Sequence, residues 1–144
     1  MKGDSNLENK ISLKDLFRFM LFEAYFLLRE HESILKDIFF DKLFESASEK
    51  LIRKKINVSA EVLTFFRYPL VWKAIGGING TSFIEHVPTE RYWDPTLMDP
   101  PIKLKGSYSQ EQLEKFFETY WADPAFRGQL ECRFHKENIE GILI

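Results

Sequence analysis

The sequence predicts an α+β fold, in which a helical N-terminal half of three to four helices packs with a small antiparallel sheet and one flanking helix in the C-terminal half. Apolar residues recur at helical spacing through the first part of the chain. From about Leu70 onward, glycine-rich turns and short alternating runs replace that pattern. Helices that come first and strands that come later are typical of α+β folds rather than of repeated βαβ units.

Helix 1 is predicted from Ser12, an N-cap residue with Asp15 three positions later, to about Glu30. At about 100° per residue, its apolar residues fall into two stripes on roughly opposite faces. An ordinary surface helix has one stripe, so the second requires cover from the rest of the chain or from a partner. The first stripe is Leu13, Leu16, Phe17, Met20, Ala24, Leu27 and Leu28, and the second is Phe19, Phe22 and Phe26.

The second stripe has two interpretations. In the simpler one, helix 1 is a central helix wrapped by the others, since helices that are apolar all round are buried. In the functional one, Phe19, Phe22 and Phe26 form the seam of a homodimer or the wall of an apolar pocket. A homodimer seam predicts that Phe22→Glu yields a soluble monomer.

The next helices are predicted from serine caps. Ser33 caps a second helix over the apolar pattern of residues 34–44. Residues 46–49 offer another capping box, so either that helix ends there and a third begins or one long helix bends. A further helix follows Ser59 and ends before Pro69, which cannot continue it without a kink.

The C-terminal half is predicted to hold the strands. A strand over residues 81–87 follows the hairpin signal Asn79-Gly80, with residues 71–75 as its partner strand or as a short helix. Residues 102–105 alternate as another short strand.

The last part of the chain is predicted to contain the flanking helix and a hairpin. Ser109 caps the helix, and Asp123-Pro124 predicts one more helical turn after it. Residues 129–135 and 139–144 are predicted to form a terminal hairpin.

Composition limits the class of protein. The 144 residues fit a flexible arm over 1–11 and a single domain over 12–144. The net charge of −2 weighs against dedicated nucleic-acid binding, which needs clustered excess cations. Cys132 is the only cysteine, so a reducing, cytoplasmic location is predicted. The polar start is not expected to act as a signal peptide, and helix 1 is predicted to be too short and too charged to span a membrane.

Aromatic residues make up 15% of the chain, and 14 of them are phenylalanines. So many rings imply a bulky core, a large pocket or an adhesive interface. The interface is favoured by the proline-stiffened loop 88–101, where Arg91, Tyr92, Trp93 and Asp94 bring hot-spot residue types to a segment that loses little entropy on docking. The alternative is that Tyr92 and Trp93 pack beneath the loop as its own small core.

The segment 52–66 resembles a helix-turn-helix sequence. Val58-Ser59 occupy the place of the turn-ending Val-Ser of many repressors, and Leu63 matches a core position. The resemblance implies a DNA-binding regulator whose nearby basic residues contact phosphate. The sequence departs from the motif at Arg53, where a small residue is normal, and aromatic residues leave few base-reading side chains. A solvated basic helix end is the competing interpretation.

An aromatic-lined pocket between helix 1 and the sheet would instead indicate a small-molecule-binding domain or an enzyme. Its candidate polar groups are Glu85, His86 and Cys132, with His86 as a general base. The competing interpretation is an exposed histidine and a small buried thiol. Cys132 and His135 have a C-x-x-H spacing, but residues three apart on a strand face opposite sides, so no metal site is predicted. The run 76–82 lacks the lysine and spacing of a phosphate-binding loop, so no cofactor is predicted.

These observations predict a small cytoplasmic protein-binding module, of the regulator, adaptor or inhibitor kind, that acts by contact through the aromatic proline-rich loop. Its protein partner is unidentified, and self-association as a homodimer is open. The pocket-bearing domain or enzyme is the first alternative, and a helix-turn-helix regulator is the second.

Overall fold

The computed structural model describes residues 9–66, 84–86, 101–136 and 142–143. Within these ranges the chain has the predicted α+β class, and no helix there combines the length and apolar content needed to cross a membrane. The helices are α1 (Leu13–Arg29), α2 (Lys36–Arg53), α3 (Ala60–Leu63), α4 (Gln110–Trp121) and α5 (Pro124–Lys136), with a 3-10 helix at Thr64–Phe66; the strands are β1 (Ile11–Ser12), β2 (Ile34–Leu35), β3 (Ile84–His86), β4 (Pro101–Leu104) and β5 (Ile142–Leu143).

Three serines start helices by the same local interaction. The hydroxyls of Ser12, Ser59 and Ser109 each accept a hydrogen bond from the backbone N–H three residues later, at 3.1, 3.2 and 3.1 Å. Each bond satisfies one donor that a helix start leaves unpaired. Gln112 completes a capping box by accepting from the Ser109 backbone at 2.8 Å. The predicted starts of α1, α3 and α4 are confirmed.

The predicted cap at Ser33 is wrong. α2 follows Leu35, which makes no side-chain cap. Residues before it are extended because Ile34 pairs with Ile102 of β4, and an extended residue in a sheet ladder cannot also lie inside a helix. Beyond this start α2 is continuous through residues 46–49, so the alternative of one long helix holds.

The strands form two small sheets. β2, β4 and β3 make an antiparallel sheet with β4 in the centre. β1 and β5 form a parallel pair in which Ile11 lies opposite Ile142. The described part of the predicted strand over residues 81–87 is β3, and its described partner is β4. Residues 71–75 and the Asn79-Gly80 turn lie outside the described residues.

The predicted terminal hairpin is wrong, because residues 129–135 belong to α5. Leu130 and Phe134 fit the alternation of a strand, but with Phe126 they also recur every four residues. That spacing places all three on one helical face, and this face is the buried one. The helix begins at the predicted proline but continues beyond a single turn. The described residues of the C-terminal half therefore hold two helices, α4 and α5, rather than the predicted one, and β5 pairs with β1.

The inner side of α1 is the centre of the core. Phe17 is where three helices meet, since its ring centroid lies 5.8 Å from that of Phe117 and 6.2 Å from that of Trp121 on α4, and 5.1 Å from that of Phe126 on α5. Tilted and offset ring pairs of this kind add to the free energy of burial. The first stripe of α1 is buried as predicted, apart from Leu27, which is partly buried.

One hydroxyl ties the start of α4 to α1. Tyr25 Oη accepts a hydrogen bond from the backbone N–H of Tyr108 at 3.0 Å and donates to the carbonyl of the same residue at 3.2 Å. Tyr25 is almost fully buried. A single side chain thus satisfies both backbone groups of the residue that precedes the Ser109 cap.

The chain ahead of α1 is attached to the end of α2. Asn9 forms a parallel bridge with Ile56, and its backbone N–H donates to the carbonyl of Lys55 at 3.1 Å. Its side-chain amide donates to the carbonyl of Lys54 at 2.9 Å. Within the predicted arm over 1–11, the described residues are therefore joined to the domain.

We expect Tyr25→Phe to lower the free energy of unfolding by about 1–3 kcal/mol, because it removes the hydroxyl that both backbone groups of Tyr108 bond. Urea unfolding followed by circular dichroism measures the change. Thr119→Val is the matched control, because its hydroxyl donates only to an exposed carbonyl of its own helix at 2.8 Å. The control should change stability by less than about 0.5 kcal/mol. Equal stability of Tyr25→Phe and the unmodified chain would show that the hydrogen bonds between the Tyr25 hydroxyl and the Tyr108 backbone do not stabilise the fold.

Candidate functional site

The second stripe of α1, Phe19, Phe22 and Phe26, forms a surface that we name the outer aromatic face. It lies away from the buried inner side of the helix. Phe26 is 44% exposed, whereas Phe19 and Phe22 are partly buried at the edge of the core. The other helices therefore cover the flanks of α1 and leave this face at the surface.

Ion pairs hold the two flanks of α1. Arg18 pairs with Glu114 of α4, and Lys50 Nζ of α2 lies 2.7 Å from Glu23 Oε1. Both pairs are partly exposed, so each contributes at most about 1 kcal/mol. Their consequence is geometric, because they hold α1 between α2 and α4 with the outer aromatic face turned outward.

Each phenylalanine of the outer aromatic face has a basic side chain above its ring. The distances from cation to ring centroid are 4.5 Å for Arg18 and Phe22, 5.8 Å for Arg29 and Phe26, and 5.4 Å for Lys54 and Phe19. Such contacts are worth about 0.5–1 kcal/mol at exposed sites. Among the described residues, no carboxylate forms an ion pair with Arg29 or Lys54. Their charges are therefore open to a partner.

A row of aromatic rings leads from this face to a recess on α4. Edge-to-face contacts join Phe26 to Tyr25 at 5.4 Å, Tyr25 to Tyr108 at 6.2 Å, and Tyr108 to Phe116 at 5.5 Å. The recess has a volume of about 240 Å³, smaller than the usual ligand pockets of about 300–1,000 Å³. Its described lining is Tyr108, Gln112, Lys115, Phe116 and Thr119.

The predicted polar pocket groups lie elsewhere or are not described. Cys132 is exposed on α5, so its interpretation as a small buried thiol is wrong, and it is not part of the described lining of the recess. Glu85 and His86 lie on β3, opposite Lys103 and Ile102 of β4. Their side chains lie outside the described structure, so a pocket role for them stays a prediction.

Cys132 and His135 lie on an element of a different kind from the predicted strand. Both residues lie on α5, where positions three apart share a face, and not on a strand. In the part of the chain that the structure describes, however, no group of three or more His, Cys, Asp or Glu side chains is placed to hold a metal ion.

The predicted partner-binding residues Arg91, Tyr92, Trp93 and Asp94 lie outside the described residues. The chain leaves β3 and returns at β4, and these two strands are paired side by side. The contact role of the loop stays a prediction.

In the segment that resembles a helix-turn-helix, the connection between α2 and α3 differs from the turn of that motif. α2 ends in a Schellman motif, in which Lys55 has a φ of 61° and the N–H of Ile56 bonds to the carbonyl of Leu51 at 2.9 Å. Residues 54–59 then separate α2 from α3, a longer connection than the motif's turn of about three or four residues. Basic side chains at this end make ion pairs and ring contacts within the chain. The connection therefore differs from that of the motif, and a role of these basic side chains in phosphate contact stays a prediction.

Sequence reasoning missed the recess on α4. Tyr108 and Phe116 meet at its wall because the Tyr25 hydroxyl holds the backbone of Tyr108 against α1. The one signal available was Phe116, which lies at the edge of the apolar stripe formed by Leu113 and Phe117 and so suits a partly buried position.

No family model matches this chain, and neither a curated protein nor a solved structure is significantly similar to it. Function is therefore inferred from the outer aromatic face and the recess themselves.

We expect Phe26→Gln to change the free energy of unfolding by less than about 1 kcal/mol, because nearly half of this side chain already contacts water. Phe17→Leu, at the meeting point of three helices, should lower stability by more than about 1 kcal/mol. Urea unfolding of both variants measures the difference. A loss at Phe26 as large as that at Phe17 would assign the outer aromatic face to the core.

Proposed function

We propose that this chain is a small protein-binding module, of the regulator, adaptor or inhibitor kind, which acts by contact through the outer aromatic face of α1. The observation that carries the proposal is the exposure of Phe26 beside two partly buried phenylalanines, on a helix whose inner side is fully buried. Phenylalanine rings needed only for the core would be expected inside, where Phe17 lies.

The chemistry of this face suits a protein partner. Aromatic and arginine side chains are enriched at binding hot spots. Because they project from a helix held on both flanks, docking orders few further groups and loses little entropy. The open charges of Arg29 and Lys54 favour a partner that presents carboxylates beside apolar side chains.

The aromatic loop is a second contact surface in this proposal. Arg91, Tyr92, Trp93 and Asp94 supply hot-spot residue types in a proline-rich segment. A cytoplasmic location belongs to the same proposal, since the exposed thiol of Cys132 suits a reducing compartment.

Affinity capture from a native lysate, followed by quantitative mass spectrometry, tests the contact function. We expect the unmodified chain to recover a protein partner at least about tenfold above background. This partner should be lost with Phe26→Glu, or with Tyr92→Ala/Trp93→Ala, because each change removes hot-spot rings. Ile38→Glu is the matched control, since Ile38 is 43% exposed on α2, outside the outer aromatic face. Recovery that neither the face variant nor the loop variant changes would count against the proposal.

A small-molecule site at the recess on α4 is the second candidate function. Two aromatic residues, Tyr108 and Phe116, line the recess together with the basic residue Lys115. A small aromatic carboxylate fits this chemistry, because its ring can pack against theirs while its charge faces the ammonium. Gln112 and Thr119 also line the recess.

Ligand-observed NMR with benzoate and phenylacetate tests the recess. We expect dissociation constants of about 1 mM, since few atoms make contact. Lys115→Met should weaken binding by about tenfold because it removes the charge partner. Lys105→Met, at an exposed position that is not part of the described lining of the recess, should leave binding unchanged. Absence of binding at about 10 mM ligand would remove this candidate.

A further inference from the structure

Three positions on the outer face of α1 are spaced symmetrically about Phe22. Asp15, Phe22 and Arg29 are each seven residues apart, so nearly two helical turns separate neighbours and all three lie along one line of the helix. Phe19 and Phe26 lie beside this line. The five positions follow a 4-3-4-3 spacing, which is typical of the seam between two packed helices.

We propose that the partner of the outer aromatic face is a second copy of this chain, whose α1 packs antiparallel to the first about a two-fold axis at Phe22. The inference rests on the proposed contact function and names the partner of the same surface. The two Phe22 rings meet at the axis, and Phe19 of each chain lies beside the partner's Phe26. Such an interface is isologous, because both copies use the same patch.

Charge complementarity selects the antiparallel orientation. Asp15 and Arg29 lie about 10.5 Å from Phe22 along α1, in opposite directions. Antiparallel packing places Asp15 of each chain opposite the partner's Arg29, which gives two ion pairs. Parallel packing would place like charges opposite each other. Both side chains are exposed, and within the described ranges neither forms an ion pair in its own chain.

The contact between Arg29 and Phe26 fits the same arrangement. In the single chain the guanidinium lies 5.8 Å from the ring centroid and covers an exposed ring. On association the guanidinium reaches the partner's Asp15, and the partner's Phe19 packs against the ring. Because one helix from each chain carries the contact, the buried area is at the low end for specific interfaces, and we expect a dissociation constant in the micromolar range.

Sedimentation velocity from about 1 to about 500 µM tests the dimer. We expect the unmodified chain to pass from monomer to dimer, and Phe22→Glu to raise the dissociation constant at least about 100-fold. Phe26→Glu, at a more exposed position, gives the same test if Phe22→Glu does not fold. Ile38→Glu is the control that should leave the dimer intact.

Disulfide trapping locates the axis. In a Cys132→Ser background, Phe22→Cys should form an interchain disulfide under mild oxidation, because the two positions meet at the two-fold axis. Ile38→Cys in the same background should not. Efficient trapping at Ile38 without trapping at Phe22 would overturn the proposed axis.

Charge reversal tests the orientation. Asp15→Arg alone and Arg29→Asp alone each place like charges opposite one another, so each should weaken the dimer at least about tenfold. The double variant Asp15→Arg/Arg29→Asp restores opposite charges and should recover the dimer. An equimolar mixture of the two single variants should form a heterodimer, since both of its ion pairs are favourable. A double variant as weak as the single ones would overturn the antiparallel arrangement.

A chain that remains monomeric at about 500 µM overturns the second copy as partner. The contact function is judged separately by the lysate capture. If capture then still depends on Phe26, the contact function stands with a different protein as partner. If capture is also independent of both Phe26 and the loop, the contact function fails as well.

Discussion

The burial of the inner side of α1 is the constraint on which the other contacts depend. Phe17 contacts rings from both α4 and α5, so these helices take their places against α1. With α2 and α4 on its flanks, the arc opposite Phe17 comes to the surface. Packing explains why that arc lies at the surface and why Phe19 and Phe22 line the edge of the core. It does not explain the phenylalanine at the exposed position 26, where lysine or glutamate would be more soluble. The contact function proposed above would account for this exposed ring.

Tyr25 links α1, in the first half of the chain, to the start of α4 in the second half. Its hydroxyl holds the backbone of Tyr108, and the next residue, Ser109, caps α4. A long-range bond and a local cap thus act on successive residues, and they set where α4 begins relative to α1. That position brings Glu114 to Arg18 on one turn and Phe117 to Phe17 on the next. The recess and the outer aromatic face therefore share a common support.

Sequence reasoning succeeded where the cause was local and failed where it was distant. The serine caps of α1, α3 and α4 depend on a bond to the residue three positions later, whereas Ser33 lost its predicted role to a strand pairing with residues far along the chain. Residues 129–135 fit both the two-residue period of a strand and the spacing of a helix. They are helical because burial against the rest of the fold favours the helical face. Helical spacing was enough to identify the second stripe of α1 as a set. The cation above Phe19 could not be predicted, because Lys54 reaches it only after α2 folds back along α1.

The cations above the outer aromatic face lower the cost of exposing its rings to water, and they leave these rings available for the proposed contact. An exposed ring is unfavourable by about 25 cal/mol for each Å² of apolar surface left in water, and a cation above the ring offsets part of this, by about 0.5–1 kcal/mol. Arginine and lysine achieve this with flexible stems that keep their charged ends in water. Cover by the chain's own apolar residues would have to be unpacked before a partner could bind. Cover by Arg29 needs only a rotation of one side chain, and in the proposed contact its guanidinium gains a carboxylate while the Phe26 ring gains an apolar neighbour. Phe26 and Arg29 together therefore form a surface that is tolerated in the free chain and that suits the proposed contact.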